Sequence, residues 1–231
     1  MKLPETLIPA RIVRRENRFA ALVEVGGRPV LAHVANTGRL VELMRPGRVA
    51  YLVPVRLPSR KTAYDLLLVD VGGALVSADA RLPPVLVAEA IVEGRIAGFS
   101  AGCAVRHEVP IGRSRVDLMV ETPGGPHAVE TKSVTLVVDG CGRFPDARTA
   151  RGAKHADELA GLARAGRPAT IAWVIQRHDA GCLVVDGEAD PTFRAAAGRA
   201  GSAGVALRAF RCQVSLEEIA IEGEVPVRFL G

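Results

Sequence analysis

Hydrophobic positions in the first eighty residues fall in short runs. Thr6–Arg14, Phe19–Val25, Arg28–Val34, Arg48–Arg56 and Thr62–Val69 are each rich in Val, Leu and Ile, with Gly26-Gly27, Pro46-Gly47 and Pro58-Ser59 among the turn residues between them. Runs of this length and spacing predict about five strands of a small barrel or sandwich, with one helical turn near Leu40–Met44. The pattern then changes. Val85, Leu86, Ala88, Glu89, Ile91 and Val92 suit a helix opened by Pro83-Pro84 and closed by Gly94. Three strand-like segments follow, Val105–Val109, Ser114–Glu121 and His127–Leu136, linked by Pro110-Ile-Gly112 and Pro123-Gly-Gly-Pro126. A helix begins at Asp146-Ala-Arg-Thr and runs to about Ala165, and the apolar run Ala169–Gln176 fits a buried strand.

The chain has 231 residues, enough for one large or two small domains, and the change of pattern divides it at 1–80 and 81–231. Charge divides it at the same place: 12 basic and 7 acidic residues lie through position 80, and 18 of each beyond it, so the whole surplus of +5 belongs to the first part. A basic five-stranded barrel of the OB type is the economical reading, because such a face holds nucleic-acid backbone; a basic β-domain that binds nothing is the plain alternative. Aromatic residues are only 4% of the chain, too few for an extended base-stacking platform, so contacts to phosphate are favoured, with weak sequence discrimination and strong salt dependence. Arg39 in the turn His33-Val-Ala-Asn-Thr-Gly-Arg39, and Arg60 and Lys61 in Ser59-Arg-Lys-Thr-Ala-Tyr64, are the candidate phosphate ligands. No apolar run approaches the ~20 residues of a membrane span, and the start lacks a secretory apolar core, which points to the cytoplasm. Cys103, Cys141, Cys182 and Cys212 form no C-x-x-C pair and read as reduced, structural residues rather than a zinc site.

Period-two alternation places the chemistry. On the second strand of the later part, Val116, Leu118 and Val120 share one face, and Asp117 shares the other with Arg115 and Met119; on the third, Glu130 and Lys132 share a face. If the Pro-Gly-Gly-Pro loop closes a hairpin, Asp117 comes beside Glu130 and Lys132. Hard carboxylate oxygens there, with a main-chain carbonyl such as that of Thr131, suit Mg²⁺, with Mn²⁺ as a substitute, and Lys132 suits a phosphodiester in hydrolysis. Lysine is rare in this chain, with four against 26 Arg, and an ammonium at position 132 stands out for that reason. Glu108 and Glu89 are further candidate acids, Glu108 as a third metal ligand, or else they are surface carboxylates. Arg148, Arg151, Lys154, His155 and Glu158 fall on one helical stripe opposite Ala156, Leu159, Ala160 and Ala163; the stripe, with Arg115, either holds phosphate or meets solvent. Gln176 ends the apolar strand, near the site or in solvent.

These stretches resemble the sugar fermentation stimulation (SfsA) protein family. The resemblance rests on His33–Leu40, Arg60–Tyr64, Glu108-Val-Pro-Ile-Gly-Arg-Ser-Arg-Val-Asp117, Val129-Glu-Thr-Lys-Ser-Val-Thr135, Phe144-Pro-Asp-Ala-Arg-Thr-Ala-Arg-Gly-Ala-Lys-His155 and Val174-Ile-Gln-Arg177, in order along nearly the whole chain. It implies an α/β architecture: an N-terminal OB-like barrel and a C-terminal PD-(D/E)XK, restriction-endonuclease-like domain with Asp117, Glu130 and Lys132 as the nuclease triad. It also implies DNA binding with little sequence preference and a role in regulating sugar (maltose) utilisation genes. One departure is the Pro83-Pro84 opening of the helix that carries Glu89, where the family pattern has an Asn at the second position. An active metal-dependent nuclease whose regulatory role is indirect is the enzymatic alternative. A sugar-responsive or small-molecule sensor is disfavoured by the presence of only Trp173 and two Tyr. The oligomeric state is open, a homodimer included.

Overall fold

The computed structural model describes residues 1–56, 59–112 and 114–230; Pro58 of the predicted loop and Arg113 of the Glu108–Asp117 stretch lie outside the described residues. Strands β1 (Ile8–Asn17), β2 (Ala20–Val25), β3 (Arg28–His33), β4 (Val49–Pro54) and β5 (Tyr64–Asp70) pair in the order β3-β2-β1-β4-β5. A parallel pairing of β3 with β5, Ala32 beside Tyr64, closes the ring. This is the five-stranded OB barrel, closed through the two pairs Ala32–Tyr64 and His33–Asp65. Its interior is filled by small and branched side chains, including Ile12, Ala21, Val23, Ala32, Ala50, Leu52 and Leu66. The predicted turn at 40–44 is present, tied by the Met44 amide donating to the Leu40 carbonyl. A short β6 (Leu75–Ser77) extends the sheet from β5 and leads out of the barrel.

The second part is a mixed α/β layer structure. Helix α1 (Leu82–Val92) starts on Pro83 and Pro84, whose missing amide hydrogens cost nothing in a first turn, and ends where Gly94 takes φ 70°. Strands β7 (Val105–Ile111), β8 (Ser114–Thr122) and β9 (Gly125–Val134) form an antiparallel meander, with Thr122 opposite Gly125 at the predicted Pro-Gly-Gly-Pro turn. Short strands β10 (Val137–Val138) and β11 (Cys141–Phe144) precede helix α2 (Ala150–Arg164). After it come β12 (Ala169–Ile175), β13 (Cys182–Asp186), α3 (Pro191–Ser202), β14 (Ala206–Val214), β15 (Ile219–Val225) and β16 (Val227–Leu230). The main sheet runs β15-β14-β12-β9-β8-β7, and a four-stranded sheet β10-β11-β13-β16 stands beside it. Every residue of β12 is buried, as befits a central parallel strand covered on both faces. Leu86, Val87 and Ile91 of α1 pack on one face with Leu118, Val129 and Val174; Ala156, Leu159 and Phe193 of α2 and α3 cover the other with Met119, Ile171 and Trp173. Val116 belongs to the α2 side, where simple alternation put it with Leu118. No helix among the described residues is long and apolar enough to cross a membrane.

Two further features differ from the sequence reading. Cys141 and Cys182 form a disulfide rather than staying reduced, because β11 and β13 run parallel in register and set these residues directly opposite each other. Cys212 is a free buried thiol, as read from the sequence, its pKa pushed up to about 12 by loss of solvent. Asp146 does not open a helix: Thr149 caps α2, its hydroxyl accepting from the Gly152 amide, and Asp146 instead accepts from the Leu40 amide of the barrel. Gly38 lies so close that a Cβ there would meet Asp146 Oδ2 at 2.6 Å. The joint between barrel and sheet has an apolar part, where Leu67 and Leu68 of β5 belong to one buried cluster with Leu86, Leu118 and Val174, and a polar part. Arg177, 3% exposed, donates to Glu42 of the barrel turn at 2.7 Å, to the Thr135 carbonyl at 3.0 Å and to both carboxylate oxygens of Asp179. Gln176 is buried at this joint, donating to Ser133 Oγ and the Ser77 carbonyl.

Candidate metal and nucleic-acid site

The β8–β9 ladder ends at the Leu118–Val129 pair, and Asp117 and Glu130 are the residues just beyond it on the two strands. The hairpin brings the carboxylates close enough for the charge of Glu130 to act on Asp117. Asp117 Oδ2 accepts two hydrogen bonds from Thr131, from the amide at 2.7 Å and from the hydroxyl at 2.6 Å. Its Oδ1 accepts none from the described residues. Glu130 is 4% exposed, and its Oε1 accepts from Lys132 Nζ at 2.6 Å and contacts His155 Nδ1 at 2.5 Å. Its second oxygen is likewise without a hydrogen bond among the described residues. The patch therefore presents one uncommitted oxygen from each carboxylate.

Electrostatics drive the two carboxyls apart. Burial raises the pKa of Asp117, and the neighbouring Glu130 charge adds to it, against the pull of the Thr131 hydrogen bonds and Lys132. Burial also pushes Glu130 upward, but its hydrogen bond with His155 and the charge and hydrogen bond of Lys132 outweigh that and hold it below the ordinary carboxylate range. A divalent cation between the carboxylates would relieve the repulsion felt by Asp117. The donor set, hard oxygens only, fits Ca²⁺, Mg²⁺ or Mn²⁺ with water completing the coordination.

Other predicted residues are distributed unevenly. Glu108 is not drawn into the cluster: it is exposed on the outer strand β7 with φ 53°, and no three His, Cys, Asp or Glu side chains among the described residues form a metal-ready group. Glu89 lies elsewhere, paired with the Met1 ammonium at 2.5 Å near Ile219. On α2, Arg151 and Lys154 are exposed as expected, Lys154 lying 3.7 Å from Glu158. His155 is not part of that open stripe; the helix turns it onto the sheet, 8% exposed, against Glu130. Arg115, Arg39 and Lys61 are exposed. Arg60 is committed inside the protein, donating to Asp65 at 2.5 Å and to Thr62, with Arg81 on the other Asp65 oxygen, so it is not an open fork for phosphate. The sequence reading missed Arg15, whose guanidinium donates to the carbonyls of Asn17, Arg18, Asn36, Gly38 and Arg39 and so fixes the turn that carries Arg39. It also missed Arg177 as the residue joining barrel to sheet.

The sequence model described as "SfsA N-terminal OB domain" matches residues 13–78, and that of the "Sugar fermentation stimulation protein RE domain" matches 81–218. The sugar fermentation stimulation protein homolog of Methylobacterium sp. (strain 4-46) is 41% identical over 98% of both chains, and that of Moorella thermoacetica 39% identical over 99% of both. Among solved structures, Pyrococcus furiosus SfsA in complex with Ca²⁺ superposes with a TM-score of 0.90 at 33% identity, covering 99% of each chain. With both domains matched in order and full-length relatives at this identity, the chain belongs to the sugar fermentation stimulation protein family.

Proposed function

We propose that this protein binds DNA through its phosphate backbone, with little sequence preference, and holds a divalent cation between Asp117 and Glu130 in a restriction-endonuclease-like second domain. The observation that carries the reading is the pair of uncommitted carboxylate oxygens beside Lys132, flanked by exposed Arg115, Arg151 and Lys154. The Ca²⁺ complex of the Pyrococcus furiosus relative supports the metal, and family membership supports a role in controlling sugar-utilisation genes. Arg39 and Lys61 on the barrel extend the basic path.

A bound cation would supply positive charge for phosphate oxygens and lower the pKa of its water. The chain's own groups do the rest. Asp117 and Glu130 bind the ion; Thr131 orients Asp117; Lys132, already 2.6 Å from Glu130, is placed to neutralise charge on a phosphate at the same patch. That last contact also favours a second reading, metal-dependent phosphodiester cleavage, since carboxylates and ammonium converge as hydrolysis requires.

Three measurements test these readings. Calcium titrated into the protein should bind, and Asp117→Ala should abolish binding. Fluorescence anisotropy with duplex DNA should give a Kd on the order of 1–100 µM near physiological salt, and removing Arg115, Arg151 and Lys154 together should flatten the salt slope by about 2–3. Unchanged affinity in that triple variant would sink the DNA path. Cutting with Mg²⁺ or Mn²⁺ that disappears in Asp117→Ala and Lys132→Ala would establish the enzymatic reading; no cutting with either metal would dismiss it.

A further inference from the structure

His155 lies under the carboxylate patch rather than on the nucleic-acid-facing surface, and both its ring nitrogens are engaged. Nδ1 meets Glu130 Oε1 at 2.5 Å, and Nε2 accepts from Arg151 Nε at 3.4 Å, one helical turn back on α2. A guanidinium has no acceptor, so the nitrogen facing it must present a lone pair. In a neutral imidazole the single hydrogen is then on Nδ1, pointing at the carboxylate. We propose that His155 is a positioning residue for the cation site: Arg151 fixes its tautomer, and its Nδ1–H, with Lys132, pins Glu130 by one oxygen so that the other is presented beside Asp117. The inference rests on the cation reading given above.

The reason lies in the freedom of the glutamate side chain. The terminal torsion of Glu is broad and close to two-fold, so a carboxylate held by one flexible lysine can exchange its oxygens or swing away. A second donor on the same oxygen, carried by a helix, removes that freedom. The helix is itself anchored, because Thr149 caps it and the Thr149 amide donates to Asp190, which also caps α3. Outer-shell donors of this kind orient a ligand without touching the metal.

The test uses the full-length protein and Ca²⁺ as probe. His155→Leu keeps the bulk and removes the donor; His155→Asn places an amide N–H near the position of Nδ1. Calorimetric titration should show Ca²⁺ binding weakened about 10–100-fold in His155→Leu and largely restored in His155→Asn. In the metal-free protein, ¹⁵N imidazole shifts should report the Nδ1–H tautomer, and Arg151→Met should mix the tautomers. Wild-type affinity in His155→Leu, equal weakness in both variants, or an Nε2–H tautomer would each overturn the proposal. If the wild type binds no Ca²⁺, the cation reading falls; the tautomer measurement then still decides, independently, whether His155 donates to Glu130.

Discussion

Asp117 and Glu130 share one patch under opposite pressures, and the signs lead to opposite mutational outcomes. Asp117 has its pKa raised by burial and by Glu130, so the folded chain holds that proton more tightly than the unfolded chain. Stability from this source is present at low pH and lost as pH rises through the folded-state pKa. Asp117→Asn should therefore make the metal-free protein more stable than wild type at neutral pH, the gap closing as pH falls; thermal unfolding in chelator across pH measures it. Glu130 is the reverse case, its pKa held low by His155 and Lys132 against burial, so its contribution is present above the ordinary carboxylate range and lost as pH falls. Glu130→Gln should cost about 2–3 kcal/mol near neutrality in urea unfolding. The carboxylate pair was legible in the sequence because a hairpin obeys period-two alternation and its turn residues fix the register. His155 was not, because helical periodicity groups it with Arg151 and Lys154 without saying which edge of the stripe meets the sheet. The engagement of Arg60 was hidden for a similar reason: it meets Asp65, which Arg81 also holds, only when the barrel closes and the chain leaves it.

The elements were legible as far as β12, but the sequence reading gave none beyond Gln176, so α3, β14 and β15 were missed although they are of seven to twelve residues. Five barrel strands, two helices, the meander and β12 follow from run length and punctuation, whereas β10, β11, β13 and β16 are of two to five residues and carry no period. The disulfide belongs to this unread part, since nothing in the spacing of Cys141 and Cys182, 41 residues apart, announces parallel neighbours. Closing a loop of that length should stabilise the fold by about 2–4 kcal/mol, and reduction with a thiol should lower the urea midpoint accordingly, as should Cys141→Ser. A second link at this scale is Asp190. Its Oδ1 accepts from the Thr192 and Phe193 amides at the start of α3, and Oδ2 accepts from the Thr149 amide at the cap of α2. Asp190→Ala should cost about 2–3 kcal/mol, more than loss of a single cap, and Thr149→Ala about 1 kcal/mol; chemical denaturation of both variants checks the ranking.

For the whole molecule, the charge asymmetry of the sequence says that barrel and sheet differ, but not that they are locked together. The lock is the apolar cluster that Leu67 and Leu68 of β5 share with Leu86, Leu118 and Val174, together with the buried Arg177 on Glu42, Asp179 and the Thr135 carbonyl, Gln176, and the close fit of Gly38 against Asp146. Removing one partner of a buried ion pair leaves the others unpaired, so Arg177→Ala should cost about 3–5 kcal/mol in urea unfolding. The same joint turns β9 into a ruler. The strand that carries Glu130 ends at Val134, and the next residue, Thr135, gives its carbonyl to Arg177 and lines a pocket with the Arg39–Leu43 turn. Five residues of extended chain span roughly 17 Å. On the proposed reading, a duplex resting on that turn would meet the carboxylates after about five base pairs, half a turn of B-form DNA. A footprint shorter than that could engage the barrel or the site, but not both at once.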